Sequence, residues 1–120
     1  MDSTRLGVIE AKFADMIWEN APLPSGQLAV LAQNLLGWKK STTYTVLRRL
    51  CDRGIFQNES GIVSAKISRD DFYAMQSEKF VEETFSGSLP AFLTAFASRK
   101  KLSAKEIEKL QALIDEMKEE

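Results

Sequence analysis

The chain has 120 residues, of which 44% are hydrophobic and 28% are charged, and its formal net charge is −1. This composition is typical of a soluble globular protein with a core of ordinary size. Because the sequence has no histidine and a single cysteine, Cys51, it excludes Ser-His-Asp and Cys-His catalysis, an intrachain disulfide, and a zinc site built from several Cys and His ligands. We therefore expect a protein that is not an enzyme and that has no metal or other cofactor.

Membrane insertion is not expected. No apolar run approaches the ~18 residues that are needed to span a bilayer. Residues 1–5 lack the basic-then-apolar form of a signal peptide. These features together predict a cytoplasmic location.

Apolar spacing predicts a first helix at about residues 6–20. Its core-facing residues recur at i, i+4, i+7 and i+8 and are Ile9, Phe13, Met16 and Ile17. Residues 21–24 contain two prolines, which end the helix and leave room for a very short strand.

A second helix is predicted from about residue 26 to residue 36. Ser25 is placed as its N-cap, and Gly37 as the residue that ends it. Its expected buried residues are Leu28, Leu31, Ala32 and Leu35. Trp38 follows, and we expect it to pack over the joint with the next helix rather than to stack on a base.

Residues 38–54 predict a third helix with two distinct faces. The apolar face, at i, i+3, i+4 and i+7, consists of Thr43, Val46, Leu47 and Leu50. The opposite face carries hydroxyl groups and arginines, where an ordinary solvated face mixes charges of both signs. Its residues are Ser41, Thr42, Tyr44, Thr45, Arg48 and Arg49, with Lys39 and Lys40 just ahead of them.

Charge is concentrated in this segment. Residues 37–54 contain five cations and one carboxylate, a local charge of +4 that leaves −5 for the rest of the chain. On this segment alone, two interpretations stay open. It is either a basic surface helix or a helix that contacts phosphates and base edges in a DNA major groove.

A change of period after residue 54 predicts a β-hairpin. Residues 55–58 and 62–67 are its strands, and Glu59, Ser60 and Gly61 form the turn between them. Three helices followed by a hairpin make a winged helix-turn-helix domain, whose third helix enters the major groove. The order of the elements therefore favours the DNA-binding interpretation.

Three further helices are predicted after the hairpin. Ser68 begins a fourth helix that ends near Phe85, residues 86–88 separate it from a short fifth helix, and Ser103 with Glu106 forms a capping box for a sixth. Narrow apolar faces of this kind bury little alone, so we expect them to form a dimer interface, with packing against the chain's own first domain as the alternative. The predicted dimer contacts are Phe80, Leu89, Phe92, Leu93, Phe96, Ile107, Leu110, Leu113, Ile114 and Met117.

The predicted fold class is thus mainly α with a small β-hairpin. Residues 1–73 form a winged helix-turn-helix DNA-binding domain, and residues 74–120 form a helical dimerisation domain.

These motifs, in this order and spacing, resemble the penicillinase and methicillin-resistance repressor family, which also has copper-responsive members. Glu10 and Trp18 match its first helix, in which an acid and a tryptophan stand eight positions apart. Residues 41–54 are similar to its recognition helix in the Thr-x-x-Thr pattern and the Arg-Leu-x-x-Arg/Lys-Gly ending. Residues 67–71, 85–88 and 102–106 are similar to the family's later helix boundaries.

The resemblance implies a homodimeric transcriptional repressor that binds a dyad operator in double-stranded DNA and exchanges its C-terminal helices between subunits. The residues that it places near bases or adjacent phosphates are Ser41, Thr42, Thr45 and Arg49. Those that it places on phosphates are Lys39, Lys40 and Arg48.

The resemblance also bears on regulation. In the antibiotic-responsive branch a membrane sensor protease triggers cleavage in helix five, commonly at an Asn-Phe bond, and the matching position here is Ala95-Phe96. The copper branch uses paired C-terminal cysteines, which this chain lacks, so copper sensing is not expected. The wing at residues 58–61 is acidic where relatives often have basic residues, so helix three is expected to supply most of the DNA affinity.

A second hypothesis belongs to a different class of function. In it the protein is a winged-helix adaptor that uses its apolar C-terminal helices to bind another protein. A strict monomer without DNA affinity would favour the adaptor.

Overall fold

The computed structural model describes residues 5–119, within which it contains six helices and a small antiparallel sheet. In chain order the elements are α1 (Val8–Asn20), β1 (Leu23–Pro24), α2 (Ser25–Leu36), α3 (Lys40–Asp52), β2 (Phe56–Glu59), β3 (Ile62–Ala65), α4 (Arg69–Phe85), α5 (Leu89–Arg99) and α6 (Ala104–Lys118). The predicted fold class is confirmed. Residues 1–4 lie outside the described part, and they make up most of the segment that lacks the signal-peptide pattern.

The chain divides into two compact units, residues 1–79 and residues 80–120. Helix α4 begins in the first unit and ends in the second. The functional division after residue 73 stays a prediction, because compactness does not say which segment binds which partner.

The first unit has a continuous hydrophobic core to which α1, α2, α3, all three strands and the start of α4 contribute. Its largest fully buried apolar residues are Phe13, Phe56, Phe72, Ile17, Leu28, Leu50, Ile55 and Val63. Each such side chain stabilises the folded state by roughly 1.5–3 kcal/mol relative to an exposed one. This core holds the three helices and the hairpin as one unit.

The predicted apolar face of α3 is confirmed, since Thr43, Val46, Leu47 and Leu50 are all buried. Thr43 is the one polar member. Its Oγ1 donates to the Lys39 carbonyl at 3.4 Å, so the buried hydroxyl has a partner. Because this face of α3 is buried, the opposite face of the helix points to solvent.

The prediction of burial is wrong for two residues, Ile9 and Leu35. Ile9, in the first turn of α1, is 49% exposed, because the core contacts of that helix begin one turn later at Phe13. Leu35 is 66% exposed, and Leu36 packs against the core at that end of α2 instead. Both errors fall at helix ends, where a helix extends past the core.

The sheet has the order β1-β3-β2, so the short strand expected between α1 and α2 forms and pairs with the hairpin. Leu23 lies opposite Val63 in this pairing. The hairpin turn is one residue shorter than predicted, because Glu59 belongs to β2 and pairs with Ile62. Ser60 and Gly61 both have positive φ, as a two-residue hairpin turn requires.

Helix α2 ends as predicted but begins differently. Gly37 adopts the left-handed conformation, φ 70°, that terminates a helix. The prediction that Ser25 is the N-cap is wrong, because Pro24 holds that position and Ser25 is the first helical residue. The Ser25 N–H donates to the Gly61 carbonyl at 2.8 Å, and its hydroxyl lies 3.1 Å from the Tyr44 hydroxyl. Ser25 therefore joins α2 to the hairpin and to α3.

The start of α4 is fastened to α1. Trp18 Nε1 donates to the Ile67 carbonyl at 3.0 Å, and the indole packs against Phe56 and Phe72. Arg69 Nε donates to Asp15 Oδ1 at 3.0 Å. Ser68 accepts from the amide of Asp71 at 3.1 Å, which confirms the predicted cap.

The second unit is built differently. Phe80, Phe85 and Phe92 pack edge to face, with ring centroids 5.6–6.1 Å apart. The predicted capping box is present, since the Glu106 amide donates to Ser103 Oγ at 3.1 Å and the Ser103 amide donates to Glu106 at 3.2 Å. Within the described residues of α5 and α6, no side chain is buried.

No helix in the described part is long and apolar enough to cross a membrane.

Candidate DNA-binding surface

Helices α2 and α3, joined by the turn at Gly37, Trp38 and Lys39, form a helix-turn-helix whose geometry is set by side-chain contacts. Trp38 is half-buried and packs against Phe13 of α1, with ring centroids 4.9 Å apart. The predicted packing role of Trp38 thus holds, although the ring that it meets belongs to α1. The Tyr44–Ser25 contact ties α3 to the start of α2 from the other side.

The structure places all seven predicted DNA-binding residues on one exposed surface. They lie on α3 or at the residue just before it, and all are exposed: Lys39, Lys40, Ser41, Thr42, Thr45, Arg48 and Arg49. Tyr44, which the helical period placed on the same side, is half-buried because it faces Ser25. Contact of these residues with DNA stays a prediction.

The amino-terminal end of this surface is chemically suited to anions. The first turn of α3 has no acidic residue, and Lys39 and Lys40 stand at the positive end of the helix dipole. Thr45 Oγ1 donates to the Ser41 carbonyl at 2.9 Å, so the lone pairs of that hydroxyl remain available as acceptors. The surface therefore combines cationic donors with hydroxyl acceptors.

The two neighbouring arginines of α3 point to different flanks. Arg48 lines a crevice of about 180 Å³ together with Tyr44, Cys51 and Asn58 of the hairpin side. Arg49 Nη1 lies 3.6 Å from Glu10 Oε2, on the α1 side. Successive helical residues differ by 100°, which accounts for the divergence.

Glu10 was not among the predicted site residues. The sequence identified it only by its spacing from Trp18, because its partner Arg49 is distant in the chain and no periodic pattern connects them. One turn after Arg49, Arg53 Nη2 donates to the Arg5 carbonyl. The α1-facing flank of α3 is therefore anchored by arginines to the amino-terminal segment.

Cys51 lies half-buried on the hairpin-facing flank. Burial raises the pKa of its thiol, and the carboxylate of Asp52 raises it further. The thiol is consequently protonated at neutral pH and is a weak nucleophile. In the described part of the chain, no group of three or more His, Cys, Asp or Glu is placed to hold a metal ion.

The wing projects beside α3 and carries one negative charge. Asn58, Glu59, Ser60 and Gly61 are all exposed. The hydrogen bond from the Ser25 amide to the Gly61 carbonyl fixes the tip of the wing to the start of α2. Glu59 opposes close approach of a phosphate at this tip.

The residues predicted for dimerisation and cleavage lie in the second unit. Most of the dimer set is exposed, at 36% to 62%, namely Phe80, Leu89, Leu93, Phe96, Ile107, Leu113, Ile114 and Met117. Phe92 and Leu110 are half-buried. Ala95 and Phe96 both lie within α5 and are exposed. Their roles stay predictions.

The fold and the surface of α3 define a winged helix-turn-helix protein with an added helical unit. A family model described as penicillinase repressor matches residues 6–116. The chain belongs to the penicillinase repressor family. It is 21% identical over 113 residues to the penicillinase repressor of Bacillus licheniformis, an alignment that covers 91% of this chain and 88% of that protein. The family resemblance inferred from the motifs is confirmed.

Proposed function

We propose that this protein is a transcriptional repressor that binds a dyad operator in double-stranded DNA as a homodimer and acts by occupying the operator so that polymerase is blocked. The exposed, hydroxyl-rich and cationic face of α3 is the observation that carries the proposal. Membership of the penicillinase repressor family supports it.

The burial of α3 explains why its other face is available to DNA. Val46, Leu47 and Leu50 fix the helix in the core, so the residues on the opposite side face outward. An α-helix fits the major groove, where arginine pairs with guanine and hydroxyls contact phosphates or base edges. Lys39 and Lys40 then hold phosphates at the start of the helix, while Thr45 and Arg49 approach bases.

The second unit supports the proposed homodimer. Its exposed apolar side chains are an unfavourable surface for a protein that acts alone in water. One small basic helix also binds DNA weakly, whereas two helices related by a two-fold axis read two half-sites together. We therefore assign α5 and α6 to the subunit interface.

Regulation by a membrane sensor protease is part of the proposal. The Ala95-Phe96 bond is exposed but lies inside a helix, so a protease requires local unfolding of α5 before the bond can enter an active site. Cleavage there separates α6 from the rest of the chain and removes part of the proposed interface. A sensor-protease gene beside this one, and a product cut after Ala95 in mass spectra, would support this route.

The central experiment is selection of binding sites from random duplex DNA, followed by gel-shift titration of variants on the selected operator. We expect Arg49→Ala to cost roughly 1–3 kcal/mol with relaxed specificity at one base pair. Lys40→Ala should weaken binding to all DNA sequences and reduce the slope of log affinity against log salt concentration by about one. Lys105→Ala, which removes the same charge from α6, is the matched control and should bind as the unaltered chain does.

The assignment of α3 fails if Arg49→Ala and Lys40→Ala both bind the operator like the unaltered protein at moderate salt. A chain that stays monomeric and selects no DNA would instead favour an adaptor function for the apolar helices.

A further inference from the structure

Arg49 is held at the edge of the proposed DNA-binding surface by an acid from another helix. Its guanidinium is paired with Glu10 through Nη1, at 3.6 Å, while its side chain remains 55% exposed. An arginine has five N–H donors in one plane. Glu10 therefore lies beside one nitrogen of the guanidinium, while more than half of the Arg49 side chain stays open to solvent.

Glu10 is itself fixed in place. Its Oε1 accepts from the amide of Gly7 at 3.3 Å, at the start of α1. Its Oε2 is buried and accepts no hydrogen bond within the described part of the chain, and the guanidinium of Arg49 lies beside it at ion-pair distance. A carboxylate held in this way presents a fixed negative charge to the side of α3.

We propose that Glu10 is a positioning residue that sets operator specificity by orienting the Arg49 guanidinium before DNA is bound. The proposal rests on the proposed function, since it concerns how α3 reads DNA. Bidentate contact with the O6 and N7 atoms of guanine requires the guanidinium plane to lie along the base edge. Orientation by Glu10 lowers the conformational entropy that binding would otherwise cost and disfavours other orientations.

Arg48 shows the contrast within the same turn. It lies on the flank beside the hairpin and has no ion pair with Glu10. Phosphate contact is permissive in geometry, whereas base contact requires the donors to lie along the base edge, so orientation by a neighbouring acid matters more for a base contact. Glu10 therefore acts on Arg49 and not on the neighbouring cation Arg48.

The test is Glu10→Gln, which keeps the length of the side chain and an acceptor for the Gly7 amide but removes the charge. We expect operator affinity to fall about threefold to tenfold, with discrimination lost at the base pair that Arg49 reads. Affinity for unrelated duplex should stay the same or rise slightly, because a negative charge near the DNA has been removed. Glu19→Gln removes the same charge from the far end of α1 and should change neither quantity.

A double-mutant cycle connects the effect to Arg49. In an Arg49→Gln background, Glu10→Gln should cause no further loss of discrimination, since nothing remains to be oriented. Arg49→Lys keeps the charge but lacks the planar fork, and it should lose discrimination as Arg49→Gln does. Thermal unfolding of every variant is measured alongside binding.

Three outcomes overturn the inference. Equal losses on operator and unrelated DNA, with a lower Tm, would make Glu10 structural only. Equal gains on both would make it a repulsive charge only, and unchanged discrimination would make the ion pair irrelevant to reading. If Lys40→Ala still weakens operator binding in these cases, the repressor function stands and only the role of Glu10 is rejected.

Discussion

The two units of this chain satisfy their apolar residues in different ways. In the first unit, α1, α2, α3 and the hairpin enclose a core in which Phe13, Leu28 and Phe56 are completely inaccessible to solvent. In the second, α5 and α6 have no buried side chain among the described residues, although both have an apolar face. Amphipathic helices thus have a buried apolar face in the first unit, whereas the apolar faces of α5 and α6 remain open to solvent.

This difference fits the proposed function, in which the first unit binds DNA and the second forms the subunit interface. A unit with a closed core has a rigid surface, which suits the strict geometry of base recognition. A unit with exposed apolar faces gains stability only when a partner covers them, so its state depends on concentration and can be regulated. The comparison predicts that equal substitutions in the two units will have unequal effects.

The largest effect is expected from a leucine-to-alanine pair, one in each unit. Leu50→Ala empties a fully buried site and should lower the free energy of unfolding by about 2–5 kcal/mol. Leu89→Ala changes a side chain of the second unit that is 62% exposed in the single chain, and it should change the free energy of unfolding of the first unit by less than about 0.5 kcal/mol. Both tryptophans, Trp18 and Trp38, lie in the first unit, so fluorescence during denaturant unfolding measures its stability. Equal losses from the two substitutions would contradict the division.

The next effect concerns the apolar face of α6. Replacing Ile107 and Ile114 by Glu places charge on two residues that are 53% and 45% exposed in the single chain. We expect a monomer in sedimentation experiments and a loss of operator affinity of about 100-fold, because the two half-sites are no longer bound together. The fluorescence of the first unit should be unchanged.

The matched control for α6 is Glu108→Lys, on the opposite side of the same helix, which should leave the dimer intact. If the unaltered chain is a monomer at about 50 μM, the face is not a subunit interface of useful affinity.

The smallest effect is expected at the wing. Glu59→Lys reverses a charge at the exposed tip, and operator affinity at low salt should rise about threefold with a steeper salt dependence. The fold should not change, because the Glu59 side chain is exposed and the turn itself is formed by Ser60 and Gly61. Glu108→Lys, with the same charge reversal on α6, separates a local effect from one of net charge. A wing that never approaches DNA would give identical results for both variants.

Much of the first unit was predictable because its patterns are local. The i, i+3, i+4 and i+7 spacing of Thr43, Val46, Leu47 and Leu50 marked the buried face of α3, and the turn residues marked the hairpin. The exposed set on α3 followed from the same period. The errors at Ile9 and Leu35 arose because periodicity gives the direction of a side chain but not where the core ends along the helix.

Only the tertiary structure decided the contacts between elements. Ser25 meets Tyr44, and Trp18 meets Ile67, across 19 and 49 positions of sequence. The pairing of Glu10 with Arg49 is of the same kind. It distinguishes Arg49 from the adjacent Arg48, two residues that only the family resemblance separates at the level of sequence. Helical period and turn chemistry are properties of a few neighbouring residues, whereas the partner of a charged side chain is chosen by the packing of whole helices against one core.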